Sequence, residues 1–222
     1  KENAPMPRRY IVFCLLFGFA IAGNVTAKRL LVPGEYSTIQ GAIDGASKGD
    51  TVLVAPGRYQ ENILLSGKNV TLASHFIIRD DTTLVNETII EGTEREPVIS
   101  VELGVDSDAG IIGFTIINNG SGGIYCSNSN PRLGFLRILE GMVDIGSNEK
   151  PQPGIGFYIS DTFVNRILLI HIQVIGNRGG GILVLGCQTK MEMSDIIVRG
   201  SIQTGELSSV TAVGGIRIDQ GW

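Results

Sequence analysis

The sequence is poor in aromatic residues, in histidine and in cysteine. Of its 222 residues only 6% are aromatic, two are histidine and three are cysteine. With 43% hydrophobic and 18% charged residues, it nevertheless has enough apolar material for a packed core, which excludes an intrinsically disordered protein. Isoleucine, valine and leucine must form that core, and they favour short strands between turns over long helices. We therefore expect an all-β fold.

The sequence also lacks an apolar run long enough to cross a membrane. The run at residues 11–22 has 12 residues, whereas a membrane-spanning helix needs about 20. It follows Arg8 and Arg9 and precedes Val25 and Ala27, the small residues of a signal peptidase site. We predict that residues 1–27 are a secretory signal peptide. The mature chain should then be secreted or at the cell surface, in the periplasm or outside the cell, without inserting into a membrane.

Clusters of basic residues are missing as well. Removal of residues 1–27 leaves 15 basic and 21 acidic residues and a net charge of −6, with both signs interspersed along the chain. A nucleic-acid-binding protein needs a basic face to neutralise phosphates. We therefore expect no nucleic-acid partner.

One amphipathic helix is predicted at residues 38–48. Ser37 and Gln40 have the spacing of a capping box, and Gly49 is suited to end the helix. The apolar residues follow helical spacing at Ile39, Ala42, Ile43 and Ala46. Residues 28–50 would thus form an N-terminal segment whose short helix caps the open end of the fold that follows.

After residue 50 the sequence changes to a repeat and to short alternating runs, which predict strands at residues 51–54, 62–65, 69–73, 88–90, 98–101 and 111–117. Glycine is abundant, with 30 residues, and the motif Gly-apolar-x-apolar begins at Gly123, Gly156, Gly181 and Gly215, with separations of 33, 25 and 34 residues. Variable spacing around a fixed strand motif is typical of a solenoid whose turns carry loops of different length. We predict that residues 51–222 form a parallel β-helix of about seven coils, each of roughly 24 residues.

The same pattern leaves one alternative fold open and leads to two further expectations. A sandwich of two antiparallel sheets is the alternative fold that the runs leave open. The chain ends at Trp222 directly after a repeat, so we expect the β-helix to be C-terminally incomplete. Cys126 and Cys187 lie on non-adjacent turns, which favours buried free thiols over a disulfide.

The N-terminal part of the predicted β-helix resembles a known superfamily. The Thr-Ile-Gln of residues 38–40, the Pro-Gly-Arg-Tyr-Gln-Glu of residues 56–61 and residues 67–72 are similar to the cap and first coils of the pectin-lyase-like, right-handed parallel β-helix superfamily. Residues 113–116 and 122–131 resemble repeats of secreted bacterial β-helix proteins. The resemblance implies a right-handed coil. That superfamily includes lyases, hydrolases, esterases, epimerases and non-enzymatic surface proteins.

The catalytic motifs of these enzymes are not found. The paired aspartates of pectin methylesterases have no match, and the Arg-Ile-Lys of polygalacturonase-like hydrolases is nearest to residues 217–219, where Asp219 replaces the lysine. His75 and His171 lie in no catalytic pattern. A polysaccharide-degrading enzyme of the pectate-lyase-like type, with Ca²⁺ and a basic residue such as Lys190 or Arg217, is the alternative function.

One acidic group has spacing that suits a cation. Glu102, Asp106 and Asp108 lie in a glycine-containing loop, where alternate carboxylates could place oxygen ligands around Ca²⁺. A solvated turn between two coils explains the same pattern. No other cofactor is expected.

The repeat places four side chains in one outward column. The apolar residues of each motif point inward, so Tyr125, Tyr158, Leu183 and Arg217 should point outward and line up. Such a lane could stack sugar rings and bond their hydroxyl groups. The alternative is that an outer tyrosine only packs under a loop and covers apolar surface. We predict a secreted or cell-surface protein for recognition or display that binds polysaccharide or cell-surface glycan, with Tyr125, Tyr158 and Arg217 as binding residues.

Overall fold

The computed structural model describes residues 26–93, 96–118, 122–140, 154–158, 166–177, 181–185, 189–199, 202–204, 207–212 and 216–219. The predicted signal peptide lies outside the described residues, except for its last two positions. The helices are α1 (Ile39–Gly45), α2 (Phe76–Arg79) and α3 (Thr83–Glu87). The strands are β1 (Arg29–Val32), β2 (Thr51–Val54), β3 (Gly57–Gln60), β4 (Ile63–Ser66), β5 (Thr71–Ser74), β6 (Thr88–Glu91), β7 (Ile99–Glu102), β8 (Gly110–Ile112), β9 (Thr115–Asn118), β10 (Ile124–Ser127), β11 (Arg132–Glu140), β12 (Ile155–Tyr158), β13 (Arg166–Ile175), β14 (Ile182–Leu185), β15 (Thr189–Arg199), β16 (Ile202–Thr204), β17 (Leu207–Ala212) and β18 (Ile216–Asp219).

The described strands form two sheets. The small sheet has six strands in the order β16-β14-β12-β10-β7-β4, and the other twelve form the large sheet. Every strand pair within the described residues is parallel. The prediction of a mainly β protein with parallel strands is confirmed. The antiparallel sandwich that the sequence left open is wrong, because no described pair runs in opposite directions.

The chain passes repeatedly from the large sheet to the small sheet and back. β2 and β3 of the large sheet are followed by β4 of the small sheet, and β8 and β9 are followed by β10. In β11, β13 and β15 one long strand replaces the two short ones, whereas β17 and β18 are again separate and pair with the two halves of β15. The connections between paired strands differ in length: Thr51 pairs with Thr71, 20 residues on, and Ile124 with Ile155, 31 residues on.

One hydrophobic cluster joins both sheets to α1. It contains Ile39 of the helix, Ile111 and Ile138 of the large sheet and Ile124 of the small sheet, each at most 1% exposed. Full burial of one such aliphatic side chain stabilises a fold by about 1.5–3 kcal/mol. The two sheets therefore share one interior, and residues that alternate with the buried ones face outward, as Leu64 does on β4.

Helix α1 begins one residue later than the predicted capping box. Thr38, not Ser37, is the N-cap, and its Oγ1 accepts a hydrogen bond of 3.1 Å from the backbone N–H of Gly41. The two carboxylate oxygens of Glu61 accept hydrogen bonds from the backbone N–H groups of Ile39 and Gln40, each at 3.0 Å. Glu61 thus satisfies these donors from a distant part of the chain, and the Gln40 side chain bonds the backbone of Leu64 on β4.

Helix α1 also ends earlier than predicted. It stops at Gly45, whereas Gly49 has its φ of +88° in the turn that leads into β2. Lys68 Nζ donates to two carbonyl groups of the last turn, at 2.7 and 3.1 Å. The helix contacts β1, the outermost strand of the large sheet, and β4, the outermost strand of the small sheet.

Several elements are absent from the sequence prediction, among them β1, β3, α2 and α3. β1 lies in the predicted N-terminal segment and pairs with β2, and β3 lies between two of the predicted runs, where no strand was expected. α2 and α3 have four and five residues, too few for helical periodicity to be visible in a sequence. Their buried side chains, Phe76, Leu84 and Val85, form a separate small cluster against the large sheet.

Residues with left-handed backbone follow one another across the large sheet. Gly113, Phe135, His171 and Asp195 have φ values of 86°, 51°, 51° and 55°. They directly follow four residues that pair in succession: Ile112, Gly134, Ile170 and Ser194. We call these four positions the left-handed column. It divides β8 from β9, so the single strand predicted near residues 111–117 is two strands, and it interrupts the alternation of β11, β13 and β15.

Cys126 is a buried free thiol, as the sequence predicted. Burial raises the pKa of this thiol far above its usual value, which keeps it protonated. Cys187 lies outside the described residues. Within the part of the chain that the structure describes, no helix has the length and apolar character needed to span a membrane.

Substitution of Gly113 by alanine should be costly. A Cβ atom there would overlap Ser74 Oγ and approach Phe76 Cβ to 3.0 Å, in addition to adopting a φ of +86°. Gly49 has a similar φ of +88°, but no atom lies within 4 Å of the place where its Cβ would be. Gly49→Ala therefore measures the backbone strain alone, about 1–2 kcal/mol. We expect Gly113→Ala to lower the free energy of unfolding by about 1–3 kcal/mol more than Gly49→Ala, in urea titrations followed by circular dichroism. Equal losses would show that the close contact costs nothing.

Asp50 should make stability depend on pH. Hydrogen bonds from the backbone N–H groups of Lys28 (2.8 Å) and Ser47 (2.9 Å) hold the pKa of this carboxyl below its usual value, against the effect of burial. Ionised Asp50 therefore stabilises the fold above the unfolded-state pKa, and that contribution is lost as the pH falls through the lower folded-state pKa.

We expect Asp50→Asn to lower the free energy of unfolding by about 1–3 kcal/mol at neutral pH, and the difference from the wild type to shrink toward pH ~3. Asp44→Asn, at an exposed carboxylate that accepts one side-chain hydrogen bond, is the matched control and should change stability by less than about 0.5 kcal/mol. A difference for Asp50→Asn that stays constant with pH would contradict this role of the carboxylate.

Candidate functional site

Two tyrosines are in contact on the outer face of the small sheet. The ring centroids of Tyr125 on β10 and Tyr158 on β12 are 4.9 Å apart, and the ring planes are inclined by 34°. Both side chains are half-buried, while their strand neighbours Cys126 and Phe157 point into the core. The outward direction predicted for both tyrosines is confirmed, and they lie on the same face.

The register between the two strands differs from the predicted one by two residues. Tyr125 pairs with Gly156, and Tyr158 pairs with Ser127. The residue equivalent to Gly123 is therefore Gly154, which also begins a Gly-apolar-x-apolar segment. Because a shift of two residues keeps each side chain on its face, both tyrosines still point outward. Gly156 has no side chain, which leaves room beside Tyr125 for the ring of Tyr158.

Arg217 does not join the tyrosines. Its strand, β18, belongs to the large sheet, where Arg217 pairs with Ile197 of β15. The predicted column through Arg217 is therefore wrong, because its Gly-apolar-x-apolar segment pairs with a strand of the other sheet. Leu183 does lie on the small sheet, opposite Gly156, with its side chain half-buried.

Polar and apolar side chains surround the tyrosine pair. Ser100 pairs with Tyr125 from the other side, and Ser127 pairs with Tyr158. We call Ser100, Tyr125, Ser127, Tyr158 and Leu183 the tyrosine face. The two serines escaped the sequence analysis because only the register of β7, β10 and β12 places them there, and the loops between these strands vary in length.

The tyrosine face is uncharged at neutral pH. Burial raises the pKa of the Tyr158 phenol, and the neighbouring Tyr125 raises it further. The Tyr158 hydroxyl therefore remains protonated and keeps both a donor and acceptor lone pairs. The arrangement presents a tilted aromatic surface with hydroxyl groups at its edge.

The predicted calcium ligands are separated by the fold. Glu102 ends β7, whereas Asp106 and Asp108 lie in the following turn. Asp106 Oδ1 accepts the backbone N–H of Asp108 at 2.8 Å, and the backbone N–H of Asp106 donates to Asn69 at 3.0 Å. Among the described residues, no three His, Cys, Asp or Glu side chains are placed to hold a metal ion. Calcium binding here stays a prediction.

The remaining candidates from the sequence lie elsewhere. His75 directly precedes α2. His171 belongs to the left-handed column of the large sheet. Lys190 pairs with Arg166 of β13, also in the large sheet. None of the three is on a strand of the small sheet.

An aromatic pair of this kind offers an apolar area for stacking, with hydrogen-bonding groups next to it. Comparison of the chain with protein-family models, with curated proteins and with solved structures finds no match.

Proposed function

We propose that the two sheets belong to one right-handed parallel β-helix, the fold implied by the resemblance to the pectin-lyase-like superfamily. Three observations support the proposal: the described strand pairs are parallel, the chain alternates between the sheets, and one hydrophobic cluster joins them. In this fold α1 covers one end of the stack, which agrees with its contacts to β1 and β4. The predicted signal peptide supports a secreted or cell-surface location.

We further propose that the protein recognises or displays carbohydrate, and that the tyrosine face is its binding surface. The contact between Tyr125 and Tyr158, half-buried on an outward face, carries this proposal. Pyranose rings have apolar C–H faces that pack on aromatic rings, while their hydroxyl groups bond to phenol and serine hydroxyls. A polysaccharide or cell-surface glycan is the corresponding partner.

Binding is favoured over catalysis by the chemistry of this surface. The five side chains of the tyrosine face include no carboxylate, imidazole, amine or guanidinium that could transfer a proton; the carboxylate next to them on this face is Glu102, two residues after Ser100 on β7. An enzyme of the pectate-lyase-like type needs a base beside its substrate. The two basic residues considered for that role, Lys190 and Arg217, lie on strands of the large sheet.

Removal of both aromatic rings should weaken glycan binding. We expect the double substitution of Tyr125 and Tyr158 by alanine to weaken binding to a positive glycan at least tenfold, or by about 1.4 kcal/mol. The measurement is retention on an array of plant and bacterial polysaccharides, followed by calorimetric titration of the oligosaccharide retained by the wild type.

The double substitution by phenylalanine is the matched control. It keeps the rings and removes the hydroxyl groups, so it should retain most of the binding if stacking dominates. Thermal unfolding of all variants checks that the fold is intact. Unchanged retention of the alanine variant would rule out the tyrosine face. Unsaturated product from polyuronates in the presence of Ca²⁺, detected by ultraviolet absorbance, would support the enzyme alternative instead.

A further inference from the structure

A cleft of about 600 Å³ lies against the large sheet. Phe135 and Arg137 of β11, His171 and Gln173 of β13, and Asn86 of α3 are among the residues that line it. We call these five residues the corner cleft. Its volume falls within the range of about 300–1,000 Å³ typical of small-molecule sites. It shares no residue with the tyrosine face.

Two strained residues line the corner cleft. Phe135 and His171 belong to the left-handed column, where Gly113 adopts the same backbone without steric cost. A residue with a side chain pays about 1–2 kcal/mol for this conformation, and such strain concentrates at functional sites. The ring centroid of Phe135 lies 4.3 Å from that of Phe76 and 4.5 Å from that of His171.

Arg137 supplies the fixed charge of the corner cleft. Its Nη1 donates to Asn86 Oδ1, and a guanidinium group has five N–H donors in all. No carboxylate belongs to the described residues that line the cleft. The nearest one along the left-handed column, Asp195, lies 3.3 Å from His171 Nδ1 and is engaged by that imidazole.

Apolar groups lie beside this charge. Val85 and Leu136 also line the cleft, beside the ring of Phe135. One guanidinium group matches a single carboxylate, which it binds through paired hydrogen bonds. The chemical complement of the cleft is therefore a monoanion with an apolar part attached.

We propose that the corner cleft binds a small organic carboxylate. Its carboxylate pairs with Arg137 and accepts from the Gln173 amide, and its apolar ring or chain packs against Phe135 and Val85. This site is independent of carbohydrate binding at the tyrosine face, because the two surfaces have no residue in common. Either proposal can therefore fail while the other stands.

Benzoate is a suitable probe, tested on the full chain without a histidine tag. Calorimetric titration gives its affinity. The two histidines of the sequence give two imidazole signals in proton spectra, which His75→Gln assigns. We expect benzoate to shift the His171 signal and not the His75 signal, and Arg137→Gln to weaken binding at least tenfold.

Arg132→Gln is the matched control. Arg132 lies on the same strand, is exposed and does not line the cleft, so its substitution removes one positive charge at a nearby position and should change the affinity less than twofold. Arg137→Lys keeps the charge but not the paired hydrogen bonds, and should weaken binding by an intermediate factor. Circular dichroism verifies the fold of each variant.

Four results would overturn the proposal: no shift of the His171 signal in the wild type, equal losses for Arg137→Gln and Arg132→Gln, acetate binding as tightly as benzoate, or displacement of benzoate by equimolar sulfate. Acetate tests the apolar part of the ligand, and sulfate tests the choice of a carboxylate over other oxyanions. The wild-type titration decides the question even if Arg137→Gln fails to fold.

Discussion

Parallel pairing of strands in a fixed register is the constraint on which the rest of the structure depends. A slip of one residue would turn every inward side chain of a strand toward solvent and open the shared hydrophobic cluster. A slip of two residues keeps the core but changes which outer side chains meet. The pairing of Tyr125 with Gly156 illustrates the second case, since it brings Tyr158 into ring contact with Tyr125. The core therefore fixes the face of each residue, and the register fixes its neighbours.

The left-handed column is the second constraint, and it follows from the first. Buried residues alternate along each half of the long strands, but across the column they are three apart, as with Leu169 and Ile172 on β13 and Met193 and Ile196 on β15. One left-handed residue on each strand makes that change possible. Because the strands remain in register, the residues of the column stack, and their side chains meet in the row that runs from Phe135 to His171 and Asp195.

The two candidate surfaces differ in chemistry because they lie on different sheets. The tyrosine face consists of neutral side chains on the small sheet and suits a neutral ring with hydroxyl groups. The corner cleft combines Arg137 with apolar walls, and α3 closes one side of it through Asn86. The insertion that carries α2 and α3 between β5 and β6 thus adds a surface that the strands alone would not form. Loops of variable length leave the core unchanged while they build such sites.

The sequence by itself determined the β-rich class, the strand segments near residues 51–54, 62–65, 98–101 and 123–126, the inward and outward faces and the burial of Cys126, because alternation of apolar residues is a local property of the chain. It also contained the three-residue spacing that marks the left-handed column. Only the tertiary structure decided that Glu61 caps α1, that Arg217 lies on the other sheet, and that Asn86, Arg137 and His171 line one cleft. These contacts join residues more than 20 positions apart, and their alignment depends on loop lengths and on the packing of the whole interior, which local sequence patterns do not encode.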